Sequence, residues 1–246
     1  MLNGKLNLVI FISGGGTTMY NVLLGCKNGY LSHVNPTLVI ASRPDAGGIE
    51  KALKAGLSPN HIAVIVRKDF KTREAYGEEI LFECKKHGVD LIAQCGFIPI
   101  MPSNVIAAYR SMIFNQHPGP IDQARPGFGG EGGMRGLAVH HAVLHFARRV
   151  GRPFMTEATV HRVTEKVDEG AILGKRIVEI WKDDYAESLA ERVLPFEHNL
   201  VLETILRFSE YGGPKEIHRE EPLIRAGEET LLEEAKAAGI AAFPNG

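Results

Sequence analysis

The sequence predicts an α/β fold: a doubly wound, mostly parallel sheet with an antiparallel strand pair in the C-terminal part. Two observations predict it. From Leu6 to Asn115, short apolar runs alternate with amphipathic runs, which is the rhythm of successive β-α-β units. Further along, two strand-like runs follow one another around a turn, which favours an antiparallel pair. The chain has 246 residues, 44% of them hydrophobic, which suffices for one large core.

The parallel sheet is predicted from five apolar runs in the first half of the chain. The first of them is apolar on both of its faces, as expected for a strand that is covered on both sides. The five predicted strands are Leu6–Ser13, Thr37–Ala41, Ala63–Val66, Leu91–Cys95 and Met112–Asn115.

Helices are predicted between these strands and after them. Thr72 should cap the helix 73–87, because its hydroxyl can accept a hydrogen bond from the first turn. Asp184 and Glu187 have the spacing of a capping box and should start a long helix that runs toward Glu210. The remaining predicted helices are Thr18–Asn28, Ala46–Ala55, Pro102–Tyr109, Ala138–Arg149 and Glu228–Ala238.

The rhythm breaks at residues 118–135, where glycine and proline replace apolar periodicity. This segment is predicted as a long loop, and long loops in compact domains tend to be functional. The antiparallel strands are predicted at 157–163 and 171–180. We expect one domain at residues 1–212, and we expect 213–246 to be a C-terminal extension that packs on that domain or trails from it.

Composition excludes several classes of function. The formal net charge is −1, and no basic stripe of the kind that binds nucleic acid is present. The apolar run near the start is too short to span a bilayer and lacks a signal-peptide cleavage pattern. Cys26, Cys84 and Cys95 are odd in number and widely spaced, which favours reduced thiols. We therefore expect a cytoplasmic protein without membrane or nucleic-acid partners; its oligomeric state stays open, a homodimer included.

A glycine-rich turn, SGGGTT, follows the first predicted strand and begins the first helix. A dinucleotide fingerprint would need a glycine where Met19 stands, and a nucleoside-triphosphate loop would need a lysine after the glycines. Both nucleotide interpretations are therefore weak. Backbone N–H groups at Gly15 and Gly16, together with the hydroxyls of Thr17 and Thr18, suit a monoester phosphate. A plain strand-to-helix turn is the alternative.

A second set of polar residues stands at the end of the fifth predicted strand. Asn115 and His117 are two apart and should project together at the carboxyl edge of the sheet, where ligands bind in α/β folds. An amide beside an imidazole suits oxyanion stabilisation and proton transfer. Asp168 lies two residues before Gly170 and serves either as a turn residue or as a carboxylate that orients His117. His141 and His145 are four apart, but no glutamate follows as in the H-E-x-x-H pattern, so no metal site is predicted.

Taken together and in order, these motifs resemble the folate-dependent formyltransferases. Each motif alone is weak, whereas the complete series at near-family spacing is specific, and it extends from about Leu8 to Leu206. The series comprises S-G-x-G after the first strand, Arg73-Glu-Ala-Tyr76, Ala93-Gln-Cys-Gly-Phe97, Asn115-x-His117-Pro118, Val160-His-x-Val-Thr164 and Val167-Asp168-x-Gly170.

The resemblance implies transfer of a formyl group from 10-formyltetrahydrofolate, as co-substrate, to the primary amine of a phosphorylated acceptor. Glycinamide ribonucleotide, a substrate of purine biosynthesis, is the acceptor it implies first, and no metal is needed. Asn115 and protonated His117 would stabilise the oxyanion. Asp168 would hold His117 in its tautomer and help to relay a proton.

The resemblance also implies two binding regions. The glycine-rich turn would hold the phosphate, Glu197 would contact the ribose or glycinamide part, and Arg73 would meet the glutamate tail of the folate. The segments 96–101 and 163–168 would line the folate cleft. The residues implied for the acceptor are Gly15, Gly16, Thr17, Thr18, Pro118 and Glu197; those implied for the folate are Arg73, Phe97, Ile98, Ile100, Met101, Val163 and Thr164.

The sequence departs from the family mainly on the acceptor side. Thr17-Thr18 stands where the family usually has Ser-Asn, Pro99 and Leu194 replace polar or basic residues, and the loop at 127–135 is longer. Formyl transfer is therefore better supported than the identity of the acceptor. Alternatives are another amine acceptor, hydrolysis of formyltetrahydrofolate, a folate-binding protein without catalysis, and a nicotinamide-dependent oxidoreductase, which Met19 disfavours.

Overall fold

A computed structural model describes residues 4–130 and 134–246 of the chain. These form two compact units. The first comprises Met1–Asn115 and Val201–Pro214, and the second comprises Gln116–Leu200 and Lys215–Gly246. A division of the chain near residue 212 stays a prediction.

The first unit contains the predicted parallel sheet. Its strand order is β3-β2-β1-β4-β5, and every neighbouring pair is parallel, which confirms the parallel part of the predicted fold. Apart from Asn7, the central strand β1 is buried on both faces, as its otherwise apolar sequence indicates. The strands are β1 (Leu6–Ile12), β2 (Val34–Ala41), β3 (Ile62–Val64), β4 (Leu91–Gln94) and β5 (Ile113–His117, whose last two residues belong to the second unit).

Helices connect these strands, as the sequence predicts. Thr72 caps the third of them, because its hydroxyl accepts a hydrogen bond from the N–H of Ala75 at 3.0 Å. The ring of Phe208 stacks on Phe114 of β5, with centroids 5.9 Å apart. The helices are α1 (Thr17–Lys27), α2 (Gly47–Lys54), α3 (Arg73–Lys86) and α4 (Ser103–Ala108), and short 3₁₀ turns occupy Pro59–His61 and Arg67–Asp69.

The second unit contains the predicted antiparallel pair, β6 (Thr156–Arg162) and β7 (Ile172–Val178). An isolated antiparallel bridge joins Ile172 of β7 to Ile217. The described residues after β5 also form the helices α5 (Leu137–Ala147), α6 (Ala186–Tyr211, whose last eleven residues belong to the first unit) and α7 (Glu229–Ala242).

Helix α7 packs closely on α5 within the second unit. A Cβ at Gly239 would lie 2.4 Å from the carbonyl oxygen of Ala138, so only glycine allows the two helices this approach. The second unit therefore includes the end of the chain in its packing. Across residues 4–130 and 134–246, no helix combines the length and the apolar character needed to cross a membrane.

The start of α6 differs from the predicted capping box. The helix begins at Ala186, and the hydroxyl of Ser188 accepts the N–H of Tyr185 at 3.0 Å. The carboxylate of Asp184 instead accepts the N–H of Trp181 at 2.7 Å and pairs with Arg192. An arginine two turns along the helix thus binds this carboxylate, which also accepts the hydroxyl of Ser188 in the first turn at 3.1 Å.

Candidate functional site

The core of the candidate site in the second unit is a buried histidine–aspartate pair. His117 ends β5 and is 4% exposed, and its Nδ1 lies 3.6 Å from Oδ2 of Asp168. Asp168 lies in the connection between β6 and β7 and has a φ of +56°, a left-handed conformation that residues other than glycine rarely adopt. The structure therefore brings together the two residues that the resemblance pairs.

A second histidine holds the other oxygen of the carboxylate. Nε2 of His161 lies 3.4 Å from Oδ1 of Asp168, and the N–H of Gly130 donates to Oδ2 at 3.2 Å. Burial alone would raise the pKa of Asp168, but His117, His161 and the Gly130 N–H together hold it well below its usual value. Asp168 is therefore an anion at neutral pH. Sequence reasoning gave His161 no role, although it stands within the V-H-x-V-T motif.

The tautomer of His117 follows from its second ring nitrogen. Nε2 lies 2.9 Å from the carbonyl oxygen of Phe128. Because a carbonyl can only accept, Nε2 carries the proton in the neutral ring, and Nδ1 is the atom that gains or loses one. Burial lowers the pKa of His117, while the charge of Asp168 opposes that effect. Nδ1 of His117 therefore faces the carboxylate of Asp168 at 3.6 Å, beyond ordinary hydrogen-bond distance.

The glycine-rich loop predicted from the sequence supplies these backbone partners. A Cβ at Gly129 would lie 2.5 Å from Cβ of Asp168, and one at Gly119 would lie 2.4 Å from a methyl group of Val139. Glycine at 129 thus permits the close approach of the loop to Asp168, and glycine at 119 permits its close approach to Val139 of α5. The part of the predicted loop at residues 131–133 lies outside the described residues.

Three further predicted residues of the acceptor and catalytic sets lie near this strand end. Asn115 is half-buried and precedes His117 by two residues in β5, so both side chains point to the same side of the strand. Pro118 is half-buried directly after the strand. Glu197 of α6 is buried, and Nε2 of Gln116 lies 3.4 Å from its Oε1. Burial raises the pKa of Glu197 to about 7.

The glycine-rich turn lies in the first unit, between β1 and α1. Gly16 has a φ of +62°, and a Cβ there would lie 2.7 Å from Cα of Gly48, so the turn requires glycine. Thr17 is exposed at the start of α1, whereas Thr18 is buried. The structure therefore separates the two hydroxyls that the sequence placed together.

A lysine that sequence reasoning missed reaches this turn from α2. Nζ of Lys51 donates to the carbonyl oxygen of Gly15 at 2.7 Å. The sequence lacks a lysine directly after the glycines, but here one comes from the next β-α unit. Only the packing of α2 beside the turn reveals it.

The residues predicted to bind folate fall in both units. In the first unit, Phe97 packs edge-on against Phe11, with centroids 5.0 Å apart, and the N–H of Ile98 donates to the hydroxyl of Ser13 at 2.9 Å. Ile98 and Ile100 are about half exposed, which is unusual for large apolar side chains. Met101 is buried and Arg73 is exposed; in the second unit, Val163 is half-buried and Thr164 is exposed.

A cavity of about 420 Å³ adjoins Asp168 in the second unit. Its wall includes Arg125 and Gly130 of the loop, Lys166, and Lys236 of α7. Among residues 4–130 and 134–246, no three histidine, cysteine or acidic side chains cluster so as to hold a metal ion.

Comparison with known proteins agrees with the sequence motifs. The model of the formyl transferase family matches residues 6–205. The chain is 33% identical over 201 residues to a chloroplastic phosphoribosylglycinamide formyltransferase of Arabidopsis thaliana, covering 80% of this chain and 63% of that protein. A protein of the same name from Vigna unguiculata is 31% identical over 198 residues, covering 80% and 59%. The chain thus spans about three fifths of the length of these plant relatives.

Solved structures of proteins with the same name, or a similar one, resemble the fold of this chain. The phosphoribosylglycinamide formyltransferase of Brucella melitensis has a TM-score of 0.69 at 31% identity, covering 84% of this chain and 96% of that one. Glycinamide ribonucleotide transformylase 1 of Symbiobacterium toebii has a TM-score of 0.70 at 28% identity, covering 84% and 88%. Since the family model matches most of its length, the chain belongs to the formyl transferase family.

Proposed function

We propose that this protein transfers a formyl group from 10-formyltetrahydrofolate to the primary amine of glycinamide ribonucleotide, a step of purine biosynthesis. Formyl transfer and the acceptor follow the names of the relatives, and the folate donor is the one that the resemblance of the sequence implies. The observation that carries the proposal is the buried pair of His117 and Asp168, which presents a basic Nδ1 beside a fixed negative charge.

The proposed chemistry assigns one task to each of three residues. The folate supplies the formyl group. Asn115 donates its amide N–H to the carbonyl oxygen as negative charge develops there. His117 accepts the proton of the attacking amine at Nδ1 and returns it to the leaving nitrogen, so that the amine loses one proton and the folate nitrogen gains one. Asp168 stabilises the imidazolium between these two transfers.

The apolar segment after β4 fits the ring system of a folate. Ile98 and Ile100 expose about half of their surface, so a flat ring placed on them would bury area that otherwise contacts water. The backbone at Ile98 is anchored by Ser13. An apolar platform on a fixed backbone is what binding of a rigid heterocycle requires. Arg73 is exposed and cationic at the start of α3, as an interaction with a glutamate tail requires.

The acceptor is proposed to place its phosphate on the glycine-rich turn. The first turn of α1 has a glycine at its N-cap and no side-chain capping bond, and the N-terminus of a helix favours an anion. Lys51 adds a positive charge beside the turn, and Thr17 adds an exposed hydroxyl. Glu197, whose pKa lies near neutrality, is the proposed partner of the ribose or glycinamide part.

One assay separates the candidate activities. The protein is incubated with 10-formyltetrahydrofolate, with and without glycinamide ribonucleotide, and release of tetrahydrofolate is followed. Release that requires the amine supports the proposal. Equal release in both arms identifies a hydrolase, and release that requires a different amine changes the acceptor. No release with any amine, from protein shown to be folded, would overturn formyl transfer itself.

The same proposal includes a cytoplasmic location, activity without a metal ion, and a homodimeric assembly. Activity that survives exhaustive chelation is the expected result for the second point. Sedimentation equilibrium tests the third, since a homodimer would have twice the 26.9 kDa mass of the chain.

A further inference from the structure

We propose that residues 215–246, the part of the C-terminal extension that belongs to the second unit, position His117 through the loop segment 118–130, with Arg219 as the main positioning residue. The inference rests on the proposed function for its catalytic consequence but not for its geometry. This part of the extension begins ten residues beyond the last residue of the family match.

His117 is held by a backbone atom of the loop segment 118–130. The carbonyl oxygen of Phe128 accepts the Nε2 proton of His117 at 2.9 Å and thereby assigns the basic role to Nδ1. A carbonyl has no side chain of its own to locate it, so its position depends on whatever fixes the loop. Displacement of this oxygen would allow the other tautomer, which presents no lone pair at Nδ1.

The two limbs of the loop are tied to one another. The N–H of Phe128 donates to the carbonyl oxygen of Pro120 at 3.0 Å. A Cβ at Gly127 would lie 2.9 Å from the backbone nitrogen of Asp122, so the limbs are in direct contact. A constraint on residues 121–122 is therefore a constraint on Phe128.

Arg219 supplies that constraint from the extension. Its Nε donates to the carbonyl oxygen of Ile121 at 2.8 Å, and its two terminal nitrogens pair with the two carboxylate oxygens of Glu157 on β6. The Arg219 and Glu157 side chains are each 8% exposed, and the N–H of Leu223 adds a bond of 2.9 Å to Asp122. All five donors of a guanidinium lie in one rigid plane, so a fork held by a carboxylate fixes where Nε points.

A second route from the extension holds the ring of Phe128. This ring packs against Phe146 and Phe154, with centroids 5.5 and 5.8 Å away. The guanidinium of Arg152 lies 5.4 Å from the centre of Phe154 and is itself bound by Glu228 through two contacts of 2.7 Å. The extension thus secures both the backbone and the side chain of the residue that bonds His117.

The test compares two variants of Arg219. Neither of them leaves Glu157 as a buried carboxylate without a cation opposite it. Arg219→Lys keeps a cation opposite Glu157 but removes the fork that reaches Ile121. Arg219→Met combined with Glu157→Gln removes both charges of this pair; Lys175, which lies 3.6 Å from Glu157, loses its partner as well but is partly exposed to solvent. Glu216→Gln is the matched control, because it removes the ion pair of 3.0 Å between the extension and Arg162. Thermal unfolding establishes that each variant is folded.

The readouts are the ¹⁵N spectrum of His117, assigned with a His117→Gln variant, and steady-state kinetics with 10-formyltetrahydrofolate and glycinamide ribonucleotide. We expect the wild-type protein and the control to show the tautomer protonated at Nε2. Both Arg219 variants should show a mixed population, a changed pH profile, and a kcat lower by roughly tenfold to a hundredfold with little change in KM.

Unchanged ¹⁵N signals and unchanged kcat in a folded double variant would overturn the inference. Wild-type ¹⁵N signals and wild-type kcat in Arg219→Lys would also overturn the inference, because the ion pair with Glu157 alone would then be enough to position His117. If the wild-type protein shows no formyl transfer but the ¹⁵N signals still change in the variants, the positioning role stands and the proposed function fails.

Discussion

Replacing the buried carboxyl group of Glu197 with an amide should remove a pH dependence from the stability of the protein. Glu197 is 6% exposed, and the amide of Gln116, at 3.4 Å, is its hydrogen-bond partner. Burial penalises the charged form and raises the pKa of Glu197 from 4.5 to about 7. Glu197→Gln keeps the shape of the side chain and its accepting oxygen but cannot ionise.

The sign and size of the effect follow from linkage. Because the pKa is higher in the folded state, Glu197 contributes stability that is fully present below pH 4.5 and is lost as the pH rises through about 7. At about 1.4 kcal/mol for each pH unit between the two pKa values, the loss amounts to about 3 kcal/mol above pH 8. Relative to wild type, the Gln variant should therefore gain about 3 kcal/mol of stability between pH 4.5 and pH 8.5.

Urea unfolding of both proteins at these two pH values gives the difference between their free energies of unfolding and its change with pH. Titrating groups that the two proteins share cancel in this comparison. Glu191→Gln is the control, because Glu191 is exposed on the same helix and should show no such change. Free energies that run parallel for wild type and Glu197→Gln across this range would refute the reasoning, since Glu197 would then titrate alike in the folded and unfolded chains.

Three further predictions concern the site and its scaffold. Asp168→Asn should lower kcat by roughly a hundredfold or more, because the imidazolium of His117 loses its counter-charge; steady-state kinetics over a pH series measures this. Lys51→Met should raise the KM for glycinamide ribonucleotide by about tenfold and leave the KM for the folate unchanged, as expected for loss of one charge-assisted bond; equal changes in both would contradict a phosphate contact. Thr72→Ala should lower the free energy of unfolding by about 1 kcal/mol in urea titrations, because the cap of α3 is lost.

The sequence predicts the fold well where hydrophobic pattern and local chemistry agree. The parallel strands are recognisable because apolar β-branched runs recur between helices, and the cap at Thr72 depends on residues only three apart. The start of α6 is less predictable, because Asp184 pairs with Arg192, which no local rule couples to it. Local patterns predict bonds between residues close in sequence, but they do not predict a bond to a partner two turns away.

The candidate site also has a part that the sequence predicts and a part that it does not. Asn115 and His117 share one strand, so their spacing alone predicts that they project together. The contacts proposed to fix the tautomer of His117 are different, because His117 bonds the backbone carbonyl of Phe128 and Arg219 bonds the backbone carbonyl of Ile121. Backbone atoms are common to all residues, so they leave no signature in sequence. What the resemblance implies is the pair itself; the device that orients it depends on packing.

The structure reduces the importance of the Thr17-Thr18 departure from the family pattern for recognition of the acceptor. Thr18 is 3% exposed, so its side chain belongs to the packing of α1 rather than to the surface of the turn. A bound phosphate would then depend on backbone N–H groups, which every residue provides, on the hydroxyl of Thr17, and on the charge of Lys51. If so, exchanging Thr18 for asparagine should change the KM for the acceptor by less than twofold, whereas Lys51→Met should change it by about tenfold. The opposite ranking would place the recognition of the acceptor at Thr18 and remove the role proposed for Lys51.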